Sequence, residues 1–320
     1  MTQTDKPSSS LIVIPCLNEA AHIGALLDQL RPAAARLGAR IIVADGGSTD
    51  GTLSIVEDVI AKDPRVILLH NKRRIQSAAI NLAVGTFGDG ADYLIRIDAH
   101  GGYPDDYCDR LVEEALATSA DSVVVSMLTS GSGAELGVLR RGGRLLHGTA
   151  AAGHGHHALM RISAFGAVGG YDEAFSHNED AELDYRLRKA GYKIWMSGKT
   201  QMVYYPRTSL SGLYFQYLGY GRGRAKNVLK HRVIPKIRQM VPLAVFPVVL
   251  LAAFSFVHWI AAVPLLLWVS VCLGYGLVTA IRQRKADVAL AGVSAMVMHL
   301  GWSVGFWLQL LGLGSRRGVA

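Results

Sequence analysis

Negative charge nearly disappears from the later part of this chain. After Asp184 the only acid is Asp287, against 18 Lys and Arg, whereas residues 1–184 carry 24 acids against 15 bases. The formal net charge of +8 thus hides an acidic front and a basic, apolar rear. A uniformly basic chain would suit nucleic acid. Bases beside long apolar runs suit an anionic membrane surface instead, so membrane lipids and no nucleic acid are expected as partners. Cysteine is scarce: Cys16, Cys108 and Cys272 form no CxxC pair, which argues against a disulfide framework or a cysteine-based zinc site and favours a reducing compartment. Residues 1–10 are polar and lack the apolar core of an export signal, so the front half is expected to stay in the cytoplasm. No GxGxxG follows the first apolar run, which argues against a dinucleotide-dependent oxidoreductase.

What is present is an alternation of strand-like and helix-like stretches. Residues 11–15 read as a buried strand, and Asn18-Glu19 can open a helix to about Leu37 with Ile23, Leu26, Leu27 and Leu30 on one face. Residues 40–44 read as a second strand ending in Asp45, followed by a Gly/Ser/Thr turn and a helix through Ile55, Val56 and Val59. A third strand at 66–69, a helix at 75–84 and a fourth strand at 93–98 follow, the last running into Asp98. Beyond them come a helix at 107–117, strands at 122–128, 157–162 and 193–196, and a helix at 179–190. The glycine-rich residues 130–155 read as a loop. This order predicts an α/β domain with a mostly parallel sheet.

The rear has a different character. Tyr214, Phe215, Tyr217 and Tyr220 precede seven bases from Arg222 to Arg238 with no acid among them, which suits an interfacial amphipathic segment over residues 208–240. Residues 241–281 carry no formal charge over 41 positions, enough for two spans of about 20 residues each, with a turn near 258–264. A further apolar run at 288–313 is a third span or a re-entrant segment, ahead of a tail at 314–320. The bases flanking this region put residues 1–207 on the cytoplasmic side.

Asp45 and Asp98 end parallel strands, so one sheet edge would carry both, where open α/β sheets bind ligands. Either alone is also an ordinary turn acid. Together they favour a nucleotide site, in which Asp45 can accept from a base amide and Glu19 from ribose hydroxyls. Asp98 can hold a divalent cation, and His100 is placed to touch it. Lys72-Arg73-Arg74 can neutralise a diphosphate or simply be a solvated turn. Asn178-Glu179-Asp180 opens a helix, where an acid is either a cap or, for Asp180, a general base. His154, His156 and His157 alternate among glycines without an HExxH, which suits a substrate-contacting loop better than a zinc site.

These residues, taken in order, resemble a known family. Ile14-Pro15-Cys16-Leu17-Asn18-Glu19 and Val43-Ala44-Asp45-Gly46-Gly47-Ser48-Thr49-Asp50-Gly51-Thr52 resemble the opening of inverting family 2 glycosyltransferases with the GT-A fold. Asp98-Ala99-His100 stands at the family's Asp-X-Asp motif, and Gly169-Gly170-Tyr171-Asp172-Glu173 and Asn178-Glu179-Asp180 at its acceptor loop and Glu-Asp motif. Residues 154–161, 177–184 and 220–226, with the apolar tail, resemble more narrowly the succinoglycan-type exopolysaccharide glucosyltransferases.

The resemblance implies a membrane enzyme of the inner (cytoplasmic) membrane, with transmembrane helices following the GT-A domain. It would move glucose from UDP-glucose to a polyprenyl-diphosphate-linked sugar by single displacement, giving a β-linkage (β-1,3), with an exopolysaccharide assembly complex as a further partner. It implies donor contacts at Pro15, Leu17, Glu19, Asp45, Lys72, Arg73, Asp98 and Ala99, and acceptor-side roles for His156, His157, Asp172, Glu179, Arg222 and Arg224. Asp180 would be the base, and Asp98 with His100 would hold Mg²⁺ or Mn²⁺. His100 departs from the usual second acid, and the Gln-X-X-Arg-Trp motif of processive synthases is absent, which suits one sugar per acceptor. Two other readings are a transferase loading a polyprenyl phosphate and a non-catalytic scaffold in an export complex.

Overall fold

A computed structural model describes residues 9–129, 144–145, 156–205, 209–235 and 237–313. The chain divides into two compact units, Met1–Pro206 and Arg207–Ala320. In the first, β1 (Ser10–Cys16), α1 (Ile23–Arg36), β2 (Arg40–Asp45), α2 (Thr52–Ile60), β3 (Val66–His70), α3 (Gln76–Phe87) and β4 (Tyr93–Arg96) alternate strictly. Then come α4 (Tyr107–Thr118), β5 (Ser122–Thr129), β6 (Arg144–Leu145), β7 (His156–Arg161), α5 (Ile162–Ala167), α6 (Glu179–Lys189) and β8 (Ile194–Tyr204). The alternation of side chains along β1 explains the layering: Ile12 and Ile14 join one core with α1 and α4, while Leu11 and Val13 join another with Ile80, Phe165 and Leu183. Helices therefore cover both faces of the sheet.

The strand order is β3-β2-β1-β4-β7-β5-β8-β6. β1 pairs in parallel with β2 on one side and β4 on the other, so the winding reverses between β1 and β4. A crevice opens at the carboxyl ends of strands at such a reversal. β7 runs antiparallel between β4 and β5, a direction that hydrophobic periodicity does not encode. The stretch 130–155, read as a loop, lies outside the described residues except for β6, which pairs antiparallel with β8.

Two boundaries moved for physical reasons. α1 starts at Ile23 rather than near Asn18, because Asn18 is left-handed (φ 57°) and its backbone N–H is held by Ser48 Oγ at 2.8 Å. β8 continues to Tyr204, past the polar Ser197-Gly198-Lys199 that interrupts its apolar pattern. The register shift there is stabilised by buried Glu114, which accepts from Trp195 Nε1 at 3.3 Å and Gly198 N at 3.1 Å.

The second unit is helical: α7 (Leu210–His231), α8 (Ile237–Ala252), α9 (Val263–Gln283) and α10 (Ala291–Leu310). Trp259–Gln283 and Ala286–Leu310 are each 25 residues and long and apolar enough to cross a membrane. The first expected span falls short of that length: its helix has 16 residues and contains Pro242 and Pro247. The basic stretch expected as an interfacial segment is α7, and one side of it packs closely on α10. A Cβ at Gly221 would lie 2.0 Å from the Trp302 carbonyl, and one at Gly305 2.0 Å from that of Leu218.

Pro247 removes the amide that would bond Leu243 O in a regular helix. Trp307 Nε1 at 2.8 Å and Ser303 Oγ at 3.1 Å donate to that carbonyl instead, and Ser303 Oγ accepts from Phe246 N at 2.9 Å. Ser303→Ala therefore leaves one amide without its acceptor and is expected to cost about 1–2 kcal/mol. Thermal unfolding in detergent reads this, and adding Trp307→Phe should cost more than the two single changes together, since Leu243 O then loses both donors.

Candidate active site

The crevice is built by two loops laced together. Cys16 and Asp45 end β1 and β2 in register. Beyond them Glu19 N donates to Thr52 Oγ1 at 2.9 Å, Ala20 N to Asp50 Oδ2 at 3.0 Å, and Thr49 N to Asn18 Oδ1 at 2.8 Å. With Asn18 in the left-handed conformation (φ 57°), these bonds hold the Asn-Glu stretch as a wall ahead of α1. A cavity of about 250 Å³ lies against it, lined by Pro15, Leu17 and Glu19, by Asn71, Arg74 and Gln76, and by Asp98, Ala99 and His100.

Not every expected donor residue faces this cavity. Asp45 is buried, and its carboxylate accepts from Gly47 N at 2.7 Å and Ser48 N at 3.1 Å, so it holds the turn while Ala44 and Gly46 line the cavity. Lys72 is exposed and Arg73 pairs with Glu173. Arg74, set in a left-handed conformation (φ 58°), is the base that lines the cavity.

Asp98 lies two residues past β4, and Tyr103 Oη grips its backbone, accepting from Asp98 N at 2.8 Å. Asp98 Oδ1 accepts from Gln76 Nε2 at 2.7 Å and Arg96 Nε at 3.2 Å. Burial would raise this carboxyl, but the Arg96 guanidinium and His156 outweigh it and lower the pKa to about 2. Asp98 is therefore an anion at every working pH. His100, more than half exposed, turns Nδ1 to within 2.9 Å of Glu19 Oε1. No group of three His, Cys, Asp or Glu side chains suited to a metal occurs among the described residues. One carboxylate and one imidazole fit a cation completed by phosphate oxygens, as Mg²⁺ commonly is, and do not fit a closed resident metal site.

Asp180 sits in the first turn of α6, next to Asn178 in the left-handed conformation (φ 62°). Its Oδ1 accepts from Arg96 Nη1 and from Tyr171 Oη, both at 2.7 Å. Burial favours the neutral form, yet Arg96 and the two histidines prevail and hold Asp180 below the usual carboxylate range. The same burial, with Asp180 beside it, pushes Glu179 up to about 7. Tyr171 is fixed by Asn81, which accepts from its N–H at 2.9 Å and donates to its carbonyl at 2.8 Å. Gly170 (φ 67°) permits this, since a Cβ there would lie 2.6 Å from Asn81 Oδ1.

The histidines depart from expectation. His156 and His157 are 3% and 2% exposed and lie on β7, so they form no exposed loop; His154 lies outside the described residues. His156 Nδ1 is 3.9 Å from Asp98 Oδ2. His157 Nδ1 lies 2.8 Å from Ser122 Oγ, and its Nε2 is 3.8 Å from Asp184, which Arg188 clasps with two bonds. That buried chain ties α6, and with it Asp180, to the sheet. Asp172 accepts from Ala174 N at 2.9 Å within its own turn, and Arg222 and Arg224 lie on α7 in the second unit. Arg96 was not anticipated, and Tyr171 only as a member of the Gly169–Glu173 stretch; the available signal for Arg96 was a lone Arg inside an apolar strand, where a charge requires partners.

A doubly covered, mostly parallel α/β sheet with acids at the carboxyl ends of its strands defines a GT-A-like fold, and the chain belongs to glycosyl transferase family 2. Residues 11–169 match the family described as Glycosyl transferase family 2. Succinoglycan biosynthesis protein ExoA of Rhizobium meliloti (strain 1021) is 61% identical over 325 residues, covering 98% of each chain. Polyprenol monophosphomannose synthase of Mycolicibacterium smegmatis is 28% identical over 125 residues, 38% of this chain and 46% of that protein. Among solved structures, the mannosyltransferase PcManGT from Pyrobaculum calidifontis, solved with GDP-Man and Mn²⁺, superposes with a TM-score of 0.60 at 20% identity, covering 93% of this chain and 88% of that one. The chain is thus a glycosyltransferase, homologous to a protein of succinoglycan biosynthesis.

Proposed function

We propose that this chain transfers glucose from UDP-glucose to the hydroxyl of a sugar carried on a polyprenyl diphosphate, by single displacement with a β-linkage (β-1,3), during exopolysaccharide repeat-unit assembly. The observation that carries the reading is that Asp98, on the cavity, and Asp180 share one guanidinium. A donor-side acid and an ionised base held that close suit direct attack across a single anomeric carbon. Glu19 would accept from ribose hydroxyls, and Asp45 would set the turn against which the uracil lies. Asp98 and His100 would hold Mg²⁺ or Mn²⁺, which when bound neutralises charge on the departing diphosphate.

The acceptor's hydroxyl becomes acidic as its oxygen bonds to the anomeric carbon, so an ionised carboxylate suffices as base. Asp172, Glu179, Arg222 and Arg224 remain acceptor-side candidates. The apolar stretches Trp259–Gln283 and Ala286–Leu310 would anchor the chain in the inner membrane, with the catalytic unit on the cytoplasmic side beside its lipid-borne substrate. An exopolysaccharide assembly complex is the natural partner of such an anchor.

The partial likeness to the polyprenol monophosphomannose synthase favours a second reading, loading of a polyprenyl phosphate. A phosphate nucleophile carries no proton that requires a base, and an ionised Asp180 would repel it. Membranes containing the chain, given radiolabelled UDP-glucose, Mg²⁺ or Mn²⁺ and polyprenyl-diphosphate-galactose, should yield a metal-dependent labelled lipid disaccharide. Label on added polyprenyl phosphate instead would select the second reading. Intact folding with no turnover of any UDP- or GDP-sugar would leave a scaffold.

A further inference from the structure

Arg96 belongs to a strand whose neighbours Leu94, Ile95 and Ile97 are fully buried, and it is itself only 3% exposed. A guanidinium at such depth persists only with anionic partners. Asp98 is a near neighbour in sequence, while Asp180 and Tyr171 come from distant parts of the chain. Nε reaches Asp98 Oδ1 at 3.2 Å, while Nη1 reaches Asp180 Oδ1 at 2.7 Å and Tyr171 Oη at 3.1 Å. Tyr171 Oη then donates to the same Asp180 oxygen at 2.7 Å, and its ring centroid lies 6.0 Å from the guanidinium carbon.

Both donors converge on Oδ1 of Asp180. No described residue donates to Oδ2, so that oxygen is the one left to receive a proton. A lysine ammonium would supply the charge without the rigid fork that spans two carboxylates at fixed angles.

We propose that Arg96 is a positioning residue for sugar transfer, fixing the Asp98 and Asp180 carboxylates relative to each other and leaving Asp180 Oδ2 as the proton-accepting atom. This rests on the reading of Asp180 as the base. In the step itself the acceptor oxygen bonds to the anomeric carbon, and the bond to the diphosphate oxygen breaks with its electron pair staying on UDP. The hydroxyl proton goes to Asp180 Oδ2. Arg96 neither gives nor takes a proton.

The test uses the full chain in nanodiscs, with UDP affinity measured by calorimetry beside steady-state kcat and KM. Arg96→Lys should lower kcat by about 100-fold, the cost of a displaced reacting group, with UDP affinity and donor KM near wild type. Tyr171→Phe keeps the Arg96 bonds to both carboxylates and removes one donor to Oδ1, and should lower kcat by about tenfold. Added guanidinium ion should restore part of the kcat of Arg96→Ala and none in Asp180→Asn. Should Arg96→Lys fail to fold, Tyr171→Phe decides alone. Unchanged kcat in the folded variants, or a kcat loss matched by equal loss of UDP affinity, overturns the proposal while the transferase reading stands. Full activity of Asp180→Asn in the same assay overturns the base reading instead.

Discussion

Asp180→Asn should lower kcat by about 10²–10⁴-fold and leave UDP affinity unchanged. The amide has the shape of the carboxylate, and its oxygen can still accept from Arg96 Nη1 and Tyr171 Oη, which now meet Oδ1 at 2.7 Å each. It cannot take a proton. Arg96 keeps Asp98 as a counter-ion, so the buried guanidinium is not stranded. The loops that line the cavity are laced to one another through Asn18, Ser48, Asp50 and Thr52, without a bond to α6. Calorimetry with UDP and a lipid-disaccharide assay check the two halves of this expectation. Loss of both together would show that Asp180 serves binding. Retained transfer would shift the base to Glu179, whose carboxyl burial and Asp180 push up to about 7, and Glu179→Gln would then abolish it.

Much of the sheet was legible because its signals are local. Leu11, Ile12, Val13 and Ile14 are apolar on both faces, as a strand covered by helices on each side must be. Asp45 and Asp98 stood out because an acid ends each apolar run. What those acids touch was not legible. Arg96 meets Asp180 across 84 positions and Tyr171 across 75, and no periodicity links them. His157 opens the strand expected at 157–162, yet with His156 it also reads as touching substrate from a loop; pairing of β7 between β4 and β5 buries both. The apolar run from Val241 was long enough on composition alone. The helix there has only 16 residues with two prolines inside it, and the bonds from Ser303 and Trp307 that accommodate Pro247 come from about 60 residues later. Local pattern fixes which residues are apolar or charged, while contacts between distant segments decide what each charge does.

Asp98→Asn is expected to weaken metal-dependent UDP binding by about 100-fold or more. In an Asp-X-Asp motif two carboxylates would share a cation, so losing one leaves the other. Here the third position is His100, and Asp98 supplies the motif's whole negative charge. That charge is secure in the wild-type chain, since Arg96 and His156 overcome the burial of the carboxyl and lower its pKa to about 2. Gln76 and Arg96 occupy Oδ1, so Oδ2 is the oxygen available to a cation. The amide keeps the bulk and the backbone grip of Tyr103 while removing that oxygen's charge. Folding should survive, because Asp180 still compensates Arg96. Calorimetric titration of UDP with and without Mn²⁺ reads the effect: affinity without metal should barely change, and the gain on adding Mn²⁺ should vanish. An undiminished Mn²⁺ effect would move the cation to Glu19, which already lies 2.9 Å from the His100 ring and would then form the metal pair with it.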